Sequence, residues 1–403
     1  MPCLRHMALE NITSWTNNIF SQLTHLFLRG RCVDGFIQTI HEYRELLELL
    51  RGSPGLQVLF LSLPDPWIPE NMEEIGDKVE VLNLRKMRVD EATPHQIHRL
   101  MSNLVLPHSV CLSVSPSRYS GRICVVDNIL PKEITPTLHL LLDDITSIEM
   151  DFIVPTENVR DDSVLDRLIG VGPAGAFYTH ACYASSAIYT TSHRLQAIEA
   201  SIRRLHTFKN LTEIWIDGPD TEQLRVWLAW DPNTDIWRPA FAGLARLEKL
   251  VLQNSLFLDV VTALAPPSDF KVDPAIVIAA SVTPCPYLIS LWVAAETDTL
   301  MNARRNLCDF ASRRHIMTGQ PFPQLLLRST TGTSAEARMY ASLARVRGDD
   351  DETGFVGLQK HVATFAFVDK FPTGRFELPA MASESCIRMG REYWPKWRED
   401  MKE

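Results

Sequence analysis

Apolar residues recur along this chain in one short spacing: apolar, two free positions, apolar, one free position, apolar. It occurs at ten places, namely Leu4-Met7-Leu9, Leu23-Leu26-Leu28, Leu56-Leu59-Leu61, Val79-Leu82-Leu84, Ile145-Ile148-Met150, Leu211-Ile214-Ile216, Leu247-Leu250-Leu252, Leu288-Leu291-Val293, Phe322-Leu325-Leu327 and Val362-Phe365-Phe367. Because strand side chains alternate between two faces, the last two apolar positions share one face. We predict a short strand with a buried face at each place.

Apolar stripes with helical spacing lie between several of these strands. Residues 36–50 carry one such stripe, and the helix-stop residues Gly52 and Pro54 follow it. Stripes at 195–205 and 300–311 predict two further helices. Strand and helix therefore alternate along the chain, as stacked repeats require.

The spacing resembles the strand core of a leucine-rich repeat. We predict an α/β fold, a leucine-rich-repeat solenoid with irregular repeats, a curved parallel sheet on the concave side and helices on the convex side. The two longest intervals between strands should hold degenerate repeats, one at residues 110–114 and one at Tyr178-Ala181-Tyr183. The solenoid is predicted to span residues 1–375, and residues 376–403 to form a C-terminal tail with a short aromatic segment.

Composition narrows the function classes. The 403 residues are 45% hydrophobic, and their net charge of −9 argues against a nucleic-acid partner, because phosphate binding needs clustered Lys and Arg. The sequence has no 18-residue apolar run to cross a membrane and no secretory signal pattern. Its eight cysteines form no Cys-x-x-Cys pair. We predict a cytoplasmic or nuclear protein with neither a membrane nor a nucleic-acid partner.

Motifs that usually carry chemistry are few. The run from Gly170 to Ala176 matches G-x-G-x-x-G/A, a dinucleotide-binding pattern that needs a strand before it and a helix after it. Residues 163–169 read better as a helix, and Pro173 removes a backbone donor. We therefore interpret the run as a glycine-rich turn, with a nucleotide-binding enzyme that uses Gly170 to Gly175 as the remote alternative.

Candidate metal ligands are equally sparse. The pairs His95/His98 and His180/Cys182 lack the further ligands of a tetrahedral site. The acidic run at 348–352 lacks the spacing of a calcium loop. We predict no enzyme activity, no cofactor and no metal.

The free positions of the strand spacing should face the concave surface, where a partner would bind. The central column of these positions contains four large aromatic residues, Phe27, Phe60, Trp215 and Trp292, which are the residue types that dominate interface energetics. The next column carries Arg29 and Arg85 early and Asp151 and Asp217 late. These eight residues are the predicted partner-binding set. The alternative is that the C-terminal tail or a long loop covers the aromatic residues.

Several stretches resemble the F-box-type leucine-rich-repeat proteins of mushroom-forming fungi. They are residues 4–11 with 23–30, the link at 49–56 and the tail Glu392-Tyr393-Trp394-Pro395-Lys396-Trp397. The resemblance implies a protein that binds a protein partner without catalysis. The family joins a cullin-RING ubiquitin ligase through an N-terminal F-box, which we expect to be absent because the chain opens inside a repeat. Leu130-Pro131-Lys132-Glu133-Ile134 resembles an F-box opening, but the expected closing segment does not follow. A substrate receptor completed by a missing F-box is the alternative function.

Overall fold

A computed structural model describes residues 4–10, 21–29, 40–62, 78–116, 136–153, 163–184, 204–218, 237–253, 257–266, 284–331 and 355–372. They divide into two compact units. The described residues of unit 1 fall within Met1–Ile145 and Arg160–Ser185, and those of unit 2 within Thr146–Val159 and Ser186–Phe376. The predicted boundary at residue 375 stays a prediction, because residues 376–403 lie outside the described ranges.

The strands are β1 His6–Glu10, β2 His25–Arg29, β3 Val58–Ser62, β4 Val79–Glu80, β5 Lys86–Ala92, β6 Leu104–Val105, β7 Cys111–Pro116, β8 Ser147–Ile153, β9 Ser163–Val171, β10 Ala176–Ala184, β11 Glu213–Asp217, β12 Lys249–Gln253, β13 Ser290–Ala295, β14 Phe322–Ser329 and β15 Val362–Phe367. The helices are α1 Ile40–Arg51, α2 Pro94–Asn103, α3 Pro136–Asp144, α4 Trp237–Ala242, α5 Phe257–Leu264, α6 Thr297–Thr318 and α7 Phe355–His361. None of the helices in the described ranges combines the length and apolar character that a membrane span requires.

Parallel pairing dominates both units, which confirms the predicted mixed α/β class. Among the described strands of unit 1 the order is β1-β2-β3-β5-β7-β10-β9, in which β9 pairs antiparallel with β10 and the others pair in parallel. The short strands β4 and β6 pair separately in parallel. The strands that the structure describes in unit 2 have the order β8-β11-β12-β13-β14-β15 and pair with one another in parallel. The finer assignment to a leucine-rich-repeat solenoid stays a prediction.

The apolar spacing builds the core at most of the predicted strands. Leu26 and Leu28 of β2, like Leu250 and Leu252 of β12, are buried on the face opposite the free positions. A backbone pattern accompanies it, in which one carbonyl accepts hydrogen bonds from two consecutive amides of the next strand. Thr24 accepts from residues 57 and 58, Thr212 from 248 and 249, and Glu248 from 289 and 290. The same local geometry therefore recurs from strand to strand in each unit.

The fourth predicted strand was placed in the wrong register. Leu82, an intended core position, is 57% exposed, and the strand that pairs with β3 is β5, five residues further on. There Leu84, Met87 and Val89 satisfy the same spacing and are buried. The spacing fits both positions, and pairing with the previous strand selects the one whose apolar residues join the core.

The glycine-rich run forms a hairpin turn. Residues 163–171 are strand β9 rather than the predicted helix, and β10 returns antiparallel to it. Gly172 N donates to Gly175 O at 2.9 Å, and Ala174 N donates to Asp144 Oδ2 at 2.9 Å. A Cβ on Gly172 would lie 2.2 Å from the Asp144 carbonyl oxygen, so the glycine allows the turn to approach the end of α3. The turn interpretation is confirmed.

The remaining predicted elements have mixed outcomes. The stripes at 36–50 and 300–311 are helical in α1 and α6 over the described residues, and the degenerate strand at 110–114 is β7. In β10 the residues paired with inward Leu112 and Val114 are Phe177 and Thr179, not the predicted Ala181 and Tyr183. Of the stripe at 195–205 only the end is described, in a short 3₁₀ turn at Arg204–Thr207. The F-box-like run and the acidic run lie outside the described residues.

Candidate functional site

One face of the unit 2 sheet carries both predicted tryptophans, and we call it the Trp face. Strand register aligns Glu149, Trp215, Val251, Trp292, Leu326 and Ala366 in its central row. Alternation puts Ile214, Leu250 and Leu291 on the opposite face of the sheet. The structure therefore brings Trp215 and Trp292 together, separated only by Val251 of β12.

The Trp215 end of this row is a charged network. The Glu213 carboxylate accepts hydrogen bonds at Oε1 from Trp215 Nε1 at 2.6 Å and from Lys249 Nζ at 2.7 Å. The same ammonium group lies 3.9 Å from the centre of the Trp292 ring and 5.1 Å from that of Trp215. The cation thus bridges two aromatic faces while a carboxylate balances its charge.

The Trp292 end is closed by a residue that follows β15. The Phe371 ring is stacked 5.2 Å from Trp292, centroid to centroid, and Trp292 meets Trp215 edge-on at 6.3 Å. Trp292 Nε1 donates to Gln324 Oε1, which also accepts from the Ser290 hydroxyl. Trp215 and Trp292 are 3% and 5% exposed. For Trp292 this arrangement agrees with the alternative that a chain segment covers the aromatic residues.

A polar row, which we call the last row of the Trp face, runs along the carboxyl ends of the same strands. Register aligns Asp151, Asp217, Gln253 and Ala294, and continues from Ala294 to Arg328. Asp151 is buried, whereas Asp217 and Arg328 are half-buried. Arg328 lies over the Phe371 ring, with its Cζ 6.0 Å from the centroid. The row is acidic at the β8 side and basic at the β14 side. Both signs of charge therefore occur within unit 2, whereas the sequence predicts basic residues early in the chain and acidic residues late.

The four residues of the predicted partner-binding set that come first in the chain lie in unit 1, and only some of them are adjacent. Phe27 and Phe60, 5% and 8% exposed, pack with their ring centres 6.0 Å apart in register on β2 and β3. Arg29 is half-buried at the end of β2. Arg85 is exposed just before β5 and does not share the Arg29 column, because the register of that strand was wrong.

The corrected register puts a different arginine on this face. Arg88 is aligned with Phe60 and lies over its ring at 5.5 Å. Its Nε donates to the Asp90 carboxylate, with the shorter of the two distances 2.8 Å. The central column of unit 1 therefore carries an arginine that lies over an aromatic ring and pairs with Asp90.

Three observations on the described residues concern metal ligands, a thiol and a histidine pair. No group of three or more His, Cys, Asp or Glu side chains within those ranges is arranged to hold a metal ion. The thiol of Cys285 is fully buried, and burial raises its pKa to about 12, far from an active thiolate. His315 and His361 approach each other at 3.1 Å between Nδ1 atoms, joining α6 to α7.

Sequence reasoning missed Lys249, Glu213, Arg328 and Phe371. Lys249 and Glu213 are two residues before the central row on the same face, so alternation alone would have found them. Arg328 lies in the same row of free positions from which Asp151 and Asp217 were predicted as partner-binding residues. Phe371 lies outside every repeat, and no periodicity indicates where it packs.

Comparisons of this chain with family models, with curated proteins and with solved structures find no match.

Proposed function

We propose that this chain is a non-catalytic, F-box-like leucine-rich-repeat protein that recognises a protein partner through the Trp face. The observation that carries the proposal is strand register. Asp151, Trp215, Asp217 and Trp292, nominated from separate parts of the sequence, share one face of one sheet. Their convergence follows from a repeated spacing, and repeated spacing is how solenoid proteins build binding surfaces.

The chemistry of the face suits a protein partner. The aromatic rings of its central row are buried, and the groups that its last row offers to a partner are the opposite charges of half-buried Asp217 and Arg328. The separation of Asp217 from Arg328 by the two intervening strands β12 and β13 corresponds to about 14 Å at the usual strand spacing. A partner segment that crosses the strands would have to present charges of the opposite order at a similar separation.

The test uses the last row, because the indoles are buried and their truncation would mix lost binding with unfolding. The full chain and its variants Asp217→Lys, Arg328→Glu and Arg305→Glu are immobilised, and bound proteins are quantified by mass spectrometry. Arg305 is exposed on α6 and serves as the matched charge-reversal control.

We expect at least one protein that is retained by the natural chain and the control but reduced about tenfold or more by either variant of the last row. The purified partner should reproduce this order in a titration. Equal retention by all four chains, with all of them folded by circular dichroism, would refute binding through the Trp face.

A further inference from the structure

Phe371 is a single buried residue in an otherwise exposed turn. Asp369, Lys370 and Pro372 are exposed, whereas Phe371 is 5% exposed and belongs to the apolar cluster of Trp215, Trp292 and Leu326. The last parallel hydrogen bond before this turn runs from Val368 N to Leu327 O, at 2.8 Å. Beyond that bond, the Phe371 ring packs in the apolar cluster of the Trp face.

Arg328, beside this ring, has an unused hydrogen-bonding group. Its Nε is buried, and among the residues that the structure describes no acceptor lies within hydrogen-bonding distance. The contact of the guanidinium with the Phe371 ring is electrostatic and leaves that N–H unpaired. Buried donors of charged groups are normally paired, because leaving them unpaired is unfavourable. A carboxylate at the Nε edge would accept two parallel hydrogen bonds from such a guanidinium.

We propose that Phe371 is an intramolecular occupant of a ligand subsite, and that the external ligand is a protein segment carrying an aromatic side chain next to a carboxylate. The aromatic ring would replace Phe371 on Trp292, and the carboxylate would pair with Arg328. This inference rests on the proposed function, since it identifies the chemistry of the partner at the Trp face. It also makes the turn at residues 368–372 an autoinhibitory cover, which competes with the partner for one place.

The aromatic part of the ligand follows from the occupant seated there. The subsite already accepts a phenyl ring stacked on an indole, and Leu326 and Ala366 line the same cluster. The acidic part follows from charge. Arg328 pairs with no carboxylate in the described ranges, whereas the other cation of the face, Lys249, is already bound to Glu213.

The smallest probe with both groups is N-acetylphenylalanine, and N-acetylphenylalaninamide is its matched control without the negative charge. Both are titrated by saturation-transfer NMR into the full natural chain and into its variants Phe371→Ala, Phe371→Ala with Arg328→Gln, and Phe371→Ala with Arg305→Gln. We expect Phe371→Ala to bind the acid about tenfold more tightly than the natural chain, because the internal competitor is removed. In that variant the acid should bind about tenfold more tightly than the amide.

The arginine variants separate charge from apolar contact. Arg328→Gln should abolish the preference for the acid, whereas Arg305→Gln should keep it. Equal affinity of the natural chain and Phe371→Ala, or equal affinity for acid and amide while Arg328 is present, overturns the proposal. If Phe371→Ala does not fold, Phe371→Leu is used, and an unchanged affinity in that folded variant overturns it as well.

Failure here is distinguishable from failure of the proposed function. If Asp217→Lys and Arg328→Glu weaken a partner but the probes fail these criteria, the Trp face is a binding surface and Phe371 is not its competitor. If the probes meet them but no partner depends on the last row, the subsite is real and the proposed protein-binding role is wrong.

Discussion

Replacing Trp292 by alanine should destabilise unit 2 strongly, because this indole is a core residue rather than an exposed anchor. It is stacked on Phe371, meets Trp215 edge-on, lies under the Lys249 ammonium and donates a hydrogen bond to Gln324. Truncation of a buried tryptophan costs about 3–5 kcal/mol through lost transfer energy and the cavity left behind. Trp292→Phe keeps a ring and loses mainly the Nε1–H bond, so its cost should be nearer 1 kcal/mol.

The assay must report on unit 2, because a chain of two units need not unfold in one transition. Hydrogen exchange of the β12, β13 and β14 amides, measured by mass spectrometry, isolates that region. At tenfold per 1.4 kcal/mol, Trp292→Ala should speed exchange there by about two to three and a half orders of magnitude. Exchange in β2 and β3 of unit 1 serves as the internal control.

A double-mutant cycle separates the stacked pair from simple burial. Trp292→Ala and Phe371→Ala should be non-additive by about 0.5–1.5 kcal/mol, the usual value for an aromatic pair. If Trp292→Ala speeds exchange in β13 by less than tenfold, the indole does not belong to the core, and the reasoning from its burial is refuted.

Three further predictions concern other parts of the chain. Gly172→Ala should destabilise unit 1 by about 1–3 kcal/mol in a denaturant titration, because the added Cβ would overlap the Asp144 carbonyl. Gly55→Ala is the control and should be nearly neutral in that titration, because its Cβ would meet no atom closer than 3.6 Å. Burial, then His315 and Lys360, lower the pKa of His361 below its ordinary 6.5, so the unfolded chain binds more protons and the stabilisation from neutral His361 is lost as pH falls below 6.5. His361→Gln should flatten the pH dependence of exchange in α7, and an identical profile in both chains would contradict this. Cys285 should resist iodoacetamide in the native chain at pH 8 and react after denaturation, as peptide mapping would show; rapid native labelling would mean that the thiol is not buried with a raised pKa.

The site was partly predictable because strand alternation is a local property. The free positions of the spacing correctly put Trp215, Asp217 and Trp292 on one face, and the same rule contains Lys249 and Arg328. Their exposure was not predictable. Whether an aromatic residue on that face meets water depends on what packs over it, and Phe371 comes from a segment without any repeat pattern.

The sequence by itself determined the class of fold, because an apolar spacing that matches the strand period recurs along the chain and most of the strands that carry it bury one face. The sequence determined neither the register in which strands pair nor the structural surroundings of a motif. Val79-Leu82-Leu84 and Leu84-Met87-Val89 satisfy the spacing equally, and only pairing of β5 with β3 chooses between them. Gly170 to Gly175 fits a phosphate-binding pattern on paper, and only the antiparallel return of β10 makes it a hairpin turn packed against Asp144. These outcomes depend on contacts between residues distant in sequence, whose energies no local pattern records.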